Sequence, residues 1–309
     1  MQTPPISEQW TVLNTLQWTS GYFQSRDIDS PRSCAEILLA HALNLRRIDL
    51  YLQHDKPLKP DELALYRALV TRRAQREPVA YITGEKEFWS LPLSVTQDTL
   101  IPRPETEKLV ETALRLIPED PCKSDDAAGS ESSENQPLRI LDLGTGTGAI
   151  ILALASERPG HLYFASDWSH SALSVARKNA RRHRLSDQVH FFCGNGFEPL
   201  LIKSAHFDVI VSNPPYIKTN DIDGLQPEIS YYEPKTALDG GPDGLRMIQY
   251  IMQAARGVLS KNGCLLLEIG HDQADGVRTL ARAANFYQDI EIIPDDGGHD
   301  RVALMKSLA

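Results

Sequence analysis

The second half of the chain alternates between short apolar runs and helical stretches, and this alternation restricts the fold more than any other feature of the sequence. The apolar runs lie at residues 140–143, 162–165, 189–193, 209–211 and 264–269. Buried strands that alternate with helices are typical of a doubly wound α/β domain with a parallel sheet. The last two runs, at 290–293 and 302–305, are too close together for a crossover helix. They predict an antiparallel C-terminal hairpin, giving a mainly parallel seven-stranded sheet.

A glycine-rich turn, LDLGTGTG at 141–148, follows the first of these strands and precedes a helix. Glycines permit tight turns and close approach of a ligand to the backbone, and the following helix offers free N–H groups. The spacing is GxGxG rather than the GxGxxG of nicotinamide dinucleotide folds. It resembles motif I of Rossmann-like methyltransferases that bind S-adenosyl-L-methionine. The candidate cofactor-binding residues of this turn are Gly144, Thr145, Gly146, Thr147 and Gly148.

Asp167 ends the second predicted strand, 23 positions after Gly144. An acid near this offset meets the ribose hydroxyls of an adenosine cofactor, since a carboxylate can accept from both. The alternative is that Asp167 caps the next helix, a role for which Ser169 competes. We favour ribose binding.

Asn195 and Gly196 follow the third predicted strand, where adenine is usually held. Many related enzymes carry an acid here that accepts from the adenine amino group, and the carbonyl of Asn195 can do the same. Phe197 either lines the base pocket or fills the core. We therefore add Asn195 and Gly196 to the cofactor-binding residues.

The sequence NPPY at 213–216 follows the fourth predicted strand and is the most specific motif in the chain. Strands one and four of such a sheet open into the same crevice. Proline fixes φ and lacks an N–H group, so the Asn213 side-chain carbonyl and the Pro214 backbone carbonyl can both accept from one planar NH2 group. Tyr216 can stack on that group. The predicted catalytic residues are Asn213, Pro214, Pro215 and Tyr216. Asn213 is also predicted to contact the cofactor, and we expect that the reaction needs no general base.

NPPY occurs in methyltransferases that act on adenine, guanine or the glutamine side-chain amide. Residues 78–110, PVAYITGEKEFWSLPLSVTQDTLIPRPETEKLV, and residues 233–245, EPKTALDGGPDGL, resemble HemK-type protein-(glutamine-N5) methyltransferases. The resemblance implies a Rossmann-like S-adenosylmethionine-dependent methyltransferase domain beside a small helical domain. PRPET at 102–106 resembles the branch that acts on class I peptide chain release factors, at the glutamine of their Gly-Gly-Gln motif. Arg103 and Glu105 within it either pair with each other or line the cleft.

The resemblance also implies a division of the chain into a helical substrate-recognition domain at 1–83, a β-hairpin linker at 84–103 and a methyltransferase domain at 104–309. An acidic insertion at 118–137 interrupts the last of these and contributes −5 of the net charge of −9. Its lack of large apolar side chains predicts a flexible loop. Arginines at 67, 72, 73 and 76 predict a basic surface on the helical domain, either solvated or used for docking.

The body of the chain thus carries a net charge near −4, which weakens the argument from charge against a nucleic-acid partner. Together with PRPET, this charge still favours a protein substrate, and we expect no stable nucleic-acid partner. An N-methyltransferase of adenine or guanine remains an alternative, as do a glutamine methyltransferase of a ribosomal protein and a silent binding module. No signal peptide, membrane span or metal-ligand spacing is apparent, so we expect a cytoplasmic enzyme without a metal or a membrane partner.

Overall fold

The computed structural model describes residues 10–119, 136–198 and 206–308. The predicted acidic insertion therefore lies almost wholly outside the described residues. The chain forms two compact units, one of Met1–Gly84 with Gln226–Tyr232 and one of Glu85–Leu225 with Glu233–Ala309. Among the described helices, none is long and apolar enough to cross a membrane.

The smaller unit is helical, as the sequence predicts. Its apolar core contains Phe23, Leu38, Leu39 and Tyr66. The bounds of its helices are Val12–Gln24, Pro31–Leu43, Arg47–Leu52, Pro60–Ala74 and Val79–Thr83, with a short helix Pro227–Ser230 from the later segment.

The segment Gln226–Tyr232 is bound to the helices of this unit by ion pairs. Glu228 pairs with Arg73 at 2.6 Å and with Arg76 at 2.9 Å. Arg72 pairs with Glu77 instead. Each of these three arginines therefore pairs with an acid of the same unit, and the predicted basic surface is reduced there to an excess of one positive charge over the two carboxylates.

The larger unit contains a pair of short strands, β1 Glu85–Phe88 and β2 Leu91–Ser94, and a sheet of the strands β3 Arg139–Leu143, β4 Leu162–Asp167, β5 Val189–Cys193, β6 Phe207–Ser212, β7 Leu259–Glu268, β8 Tyr287–Pro294 and β9 Asp300–Ser307. This mixed seven-stranded sheet has the order β5-β4-β3-β6-β7-β9-β8. Strands β3 to β7 run parallel, whereas β9 is antiparallel to both β7 and β8. The predicted α/β fold with an antiparallel C-terminal hairpin is thus confirmed.

Helices cover both faces of this sheet and bury two apolar clusters. One cluster takes residues from the helices Glu107–Leu114 and Ala149–Glu157, and the other takes residues from Arg246–Ala254 and Ala274–Ala284. Each large aliphatic side chain buried in this way contributes about 1.5–3 kcal/mol to stability. The rigid sheet holds the carboxyl ends of β3 to β6 in fixed positions.

The predicted hairpin is present as the antiparallel pair β1, Glu85–Phe88, and β2, Leu91–Ser94, and it lies in the larger unit. The fully buried Asn179 explains this placement. Its Oδ1 accepts from the Ser94 N–H at 2.7 Å, and its Nδ2 donates to the carbonyls of Ser94 and Thr147. One amide therefore ties the hairpin to the glycine-rich turn.

Candidate active site

A cavity of about 680 Å³ lies at the carboxyl ends of β3, β4, β5 and β6. Ten of the twelve predicted site residues line it, and the other two, Gly148 and Tyr216, do not. The ten are Gly144, Thr145, Gly146, Thr147, Asp167, Asn195, Gly196, Asn213, Pro214 and Pro215. The structure thus brings the end of β3 and the end of β6 to one site.

The glycine-rich turn presents bare backbone to this cavity. Gly144 and Gly146 have φ of +76° and +54°, and no atom lies within 4 Å of where a Cβ of either residue would stand. Such a backbone fits a bulky ligand such as an adenosine cofactor, because the ligand can approach it directly.

Gly148 does not line the cavity, and its contact with the cofactor stays a prediction, but its lack of a side chain has a second use. It precedes the helix Ala149–Glu157, and a Cβ there would stand 3.1 Å from Leu152 Cδ1 and 3.3 Å from Ala176 Cβ. Gly148 therefore permits close packing behind the turn.

The buried carboxyl group of Asp142 is hydrogen-bonded to the glycine-rich turn. The Thr145 hydroxyl donates to Asp142 Oδ2 at 2.6 Å. Asp142 is fully buried, and its Oδ1 has no partner among the described residues. Burial raises the pKa of Asp142 to about 7, since an ionised carboxylate is costly where water is excluded.

Asp167 is held by backbone donors on both of its oxygens. The N–H of Gly146 donates to Oδ2 and the N–H of Ser169 donates to Oδ1, each at 2.9 Å. Ser169, rather than Asp167, caps the next helix, because its hydroxyl oxygen accepts from the Ala172 N–H at 3.2 Å. Burial raises the pKa of Asp167, and the backbone donors oppose this rise. Ribose binding by Asp167 stays a prediction.

The end of the cavity at Asn195, where adenine is predicted to bind, is more exposed than the end at Asp167. Asn195 donates through Nδ2 to Glu198 Oε1 at 3.2 Å, and both side chains lie at the surface. Phe197 is fully buried in the core, which decides between its two predicted roles. Sequence reasoning missed Trp168, which lines the cavity and is 63% exposed. Its position directly after Asp167 could have indicated that it lines the cavity.

Asn213 lies at the end of the cavity that is predicted to bind the NH2 group of the methyl acceptor. Its Nδ2 donates to the Thr106 hydroxyl oxygen at 3.2 Å. Within the described residues, no donor is bonded to Asn213 Oδ1 or to the Pro214 carbonyl oxygen. Both residues line the cavity, so two acceptors remain available there for one NH2 group.

Tyr216 is absent from the cavity lining, so its predicted stacking on the substrate has no support in this geometry. Its hydroxyl donates to Glu268 Oε1 at 3.1 Å, and its backbone carbonyl accepts from Gln273 Nε2 at 2.9 Å. Burial raises the pKa of Tyr216, which keeps the hydroxyl protonated as a donor. Tyr216 therefore anchors the NPPY segment to its surroundings.

The segment at 233–245 packs against NPPY and explains why both motifs occur together. The Ile217 N–H donates to the Leu238 carbonyl at 3.0 Å, and the Gly240 N–H donates to the Ile217 carbonyl at 2.8 Å. A Cβ on Gly240 would stand 2.8 Å from Tyr216 Cα. Only glycine permits this approach of the two backbones.

Arg103 lines the cavity, and it pairs with Glu233 rather than with Glu105. Glu233 is buried and also accepts from the Ile101 N–H at 3.1 Å, whereas Glu105 is exposed. Burial raises the pKa of Glu233, and the charge of Arg103 opposes this rise. The pair links the PRPET segment to the start of the 233–245 segment.

Comparison with known proteins identifies the family. The family described as PrmC N-terminal domain matches residues 14–84, and the Methyltransferase small domain matches residues 131–226. A release factor glutamine methyltransferase of Geobacter sulfurreducens is 43% identical over 295 residues, which cover 96% of each chain. The chain belongs to the release factor glutamine methyltransferase family. A member from Vibrio cholerae is also 43% identical, over 95% of this chain and 96% of its own.

A solved methyltransferase structure from Pyrococcus furiosus shares the fold, with a TM-score of 0.50 and 17% identity over 77% of this chain and 98% of that chain. The predictions of the family, of the Rossmann-like methyltransferase fold and of an S-adenosylmethionine-dependent enzyme are thereby confirmed. The alternative of a nucleic-acid methyltransferase is not favoured.

Proposed function

We propose that this chain transfers a methyl group from S-adenosyl-L-methionine to the side-chain amide nitrogen, N5, of the glutamine in the Gly-Gly-Gln motif of class I peptide chain release factors. The observation that carries this proposal is the pair of open acceptors at the cavity, Asn213 Oδ1 and the Pro214 carbonyl oxygen. A glutamine NH2 group is planar and has two N–H donors, so two fixed acceptors match it.

The cofactor would be held by the residues on the other side of the cavity. The open backbone at Gly144 and Gly146 would allow close approach, Asp167 would accept from the ribose hydroxyls, and Asn195 with Gly196 would contact the adenine. When bound, S-adenosylmethionine supplies a methyl group on a positively charged sulfur, which makes the methyl carbon electrophilic.

The task of the chain is then to position a weak nucleophile. An amide nitrogen is a poor nucleophile because its lone pair is delocalised. Alignment of reacting atoms contributes about 7–11 kcal/mol to a rate enhancement of this kind. The two acceptors hold the NH2 group by its hydrogens and stabilise positive charge as it develops on the nitrogen. The surplus proton of the nitrogen leaves to water, so we expect no essential general base.

The protein partner is a class I release factor, and we assign its recognition outside the Gly-Gly-Gln loop to the helical unit. The family's substrate works in translation termination, which supports a cytoplasmic site of action. We propose neither a stable nucleic-acid complex nor a membrane partner.

The proposal is tested with methyl-labelled S-adenosylmethionine and the purified chain. Separate reactions receive a class I release factor, ribosomal proteins, DNA or RNA, and peptide mass analysis locates the label. We expect label on the glutamine of Gly-Gly-Gln alone.

A release factor in which this glutamine is replaced by alanine is the matched control and should take no label. Label on another residue, on a ribosomal protein or only on nucleic acid would overturn the proposal.

A further inference from the structure

The glycine-rich turn has little rigidity of its own. Gly144, Gly146 and Gly148 adopt φ values of +76°, +54° and +83°, and glycine has more backbone freedom than any other residue. A turn of this composition loses much conformational entropy when it is ordered. A ligand that has to order the turn binds more weakly than one that meets a turn already ordered by the rest of the chain.

Asn179 holds the part of the turn that leads into the next helix. Its Nδ2 donates at 2.9 Å to the carbonyl of Thr147, which lines the cavity. Asn179 itself is fully buried in the helix His170–Arg182 and is absent from the cavity lining. Ala176, three residues earlier on the same side of this helix, lies 3.3 Å from the position of a Cβ on Gly148. The missing side chain at Gly148 thus lets the helix come close enough for Asn179 to reach the turn.

The same amide also binds the hairpin. Asn179 Oδ1 accepts from the Ser94 N–H at 2.7 Å, and Nδ2 donates to the Ser94 carbonyl at 3.0 Å. Ser94 ends strand β2, and the segment that follows it forms another wall of the cavity, through residues 97–100, 102 and 103. The oxygen and the NH2 group of Asn179 are therefore both engaged.

Asn179 thus bonds to the backbone of one cavity wall and to the residue just before the other. These bonds lie in a fully buried environment, where a polar group that loses its partner is costly. We propose that Asn179 is a positioning residue that fixes the glycine-rich turn relative to the segment 97–103, so that the cavity is shaped for S-adenosylmethionine before the cofactor binds. Cofactor binding and the order of the hairpin are then coupled, because both depend on one amide. The identity of the methyl acceptor does not enter this inference.

The binding test uses Asn179→Ser, which removes the amide and leaves room for water beside the freed backbone groups. Calorimetry with S-adenosylhomocysteine, the product of the cofactor, measures the affinity without turnover. We expect the Kd to rise about tenfold, since the ligand must then order the turn itself. A Kd equal to that of the unchanged protein would overturn the inference.

Tyr163→Phe is the matched control for a general loss of stability. Tyr163 is as fully buried as Asn179, and its hydroxyl donates at 2.6 Å to the Arg158 carbonyl, beyond the end of the helix Ala149–Glu157 that is remote from the turn. Urea denaturation should show that both variants are less stable than the unchanged protein. The Kd of Tyr163→Phe for S-adenosylhomocysteine should nevertheless stay within about twofold. If both variants lose affinity in proportion to stability, Asn179 has no positioning role.

Amide hydrogen exchange tests the coupling in the unchanged protein, so this test does not require a variant that folds. Ser94 is absent from the cavity lining, and its N–H is bonded to Asn179 Oδ1. Saturating S-adenosylhomocysteine should slow exchange of the Ser94 amide about tenfold and leave exchange in the edge strand β8 within about twofold.

In Asn179→Ser, the same ligand should slow exchange of the Ser94 amide by less than about twofold, because the connection to the turn is lost. A Ser94 rate that does not respond to the ligand in the unchanged protein would overturn the inference. Equal slowing in the two proteins would do so as well.

Discussion

Two buried carboxyl groups accept hydrogen bonds from the two motifs of the site, one from the glycine-rich turn and one from NPPY. Asp142 lies below the glycine-rich turn and accepts from the Thr145 hydroxyl. Glu268 ends strand β7 and accepts from the Tyr216 hydroxyl. Each is almost fully buried, and each has one oxygen without a partner in the described part of the chain.

The two groups differ in where their partners come from. Thr145 follows Asp142 by three residues, so one short turn contains the whole arrangement. Tyr216 precedes Glu268 by 52 residues. The carboxyl on the cofactor side is thus paired within one turn, and the carboxyl on the acceptor side is paired through tertiary packing. We therefore expect changes on the cofactor side to alter binding, and changes on the acceptor side to alter turnover.

The largest effect should come from Asn213→Ala on the acceptor side. Loss of a fixed acceptor for the developing charge should lower kcat about a hundredfold to a thousandfold. Steady-state methylation of a release factor measures this change. The affinity for S-adenosylhomocysteine, measured by calorimetry, should stay within about threefold of that of the unchanged enzyme. A loss of this affinity as large as the loss of kcat would contradict the division into a cofactor side and an acceptor side.

Asp142→Asn tests the cofactor side through stability. Burial raises the pKa of Asp142 from the ordinary aspartate value of 3.8, which applies in the unfolded chain, to about 7 in the folded chain, so between these values only the folded chain keeps the proton. Stability is therefore lost as the pH rises toward 7, by up to about 1.4 kcal/mol per pH unit.

The variant lacks this proton and should show a flatter free energy of unfolding between pH 5 and 7, as measured by urea denaturation. Thr145→Val sharpens the test. Without its hydrogen bond to the ionised form, the pKa of Asp142 should rise further and the sloping range should extend to higher pH. Parallel curves for all three proteins would contradict the assignment.

Asp167→Ala should weaken cofactor binding about tenfold to a hundredfold, because a charged hydrogen-bond acceptor for the ribose is removed. Titration with S-adenosylhomocysteine measures this loss. The value of kcat at saturating cofactor should change far less than in Asn213→Ala. If kcat falls and the affinity does not, Asp167 acts on the acceptor side instead.

The smallest effect should follow Asn195→Ala. Its amide is exposed, so water can replace a lost contact, and we expect cofactor affinity to fall by only about threefold. Glu198→Gln is the paired variant, since Glu198 accepts from Asn195 Nδ2. A loss of cofactor affinity as large as that of Asp167→Ala would show that the exposed contact at Asn195 contributes as much to binding as the buried contact at Asp167.

Sequence patterns predicted the strands, their mainly parallel order and ten residues of the cavity lining, because each of these depends on local periodicity or on a motif at a strand end. They failed where a side chain's partner lies far along the chain. Tyr216 was expected in the cavity, and it bonds to Glu268 instead. Arg103 was considered with its neighbour Glu105, whereas its partner is Glu233, 130 residues away.

The sequence by itself determined the family, the sheet and the local turn at Gly144 to Gly148, since a strand, a glycine turn and a helix form from adjacent residues. Only the tertiary structure decided what surrounds Asn213. Thr106, its hydrogen-bond partner, is 107 residues away along the chain, and no spacing rule connects the two. They meet because the segment after the hairpin reaches the carboxyl end of β6.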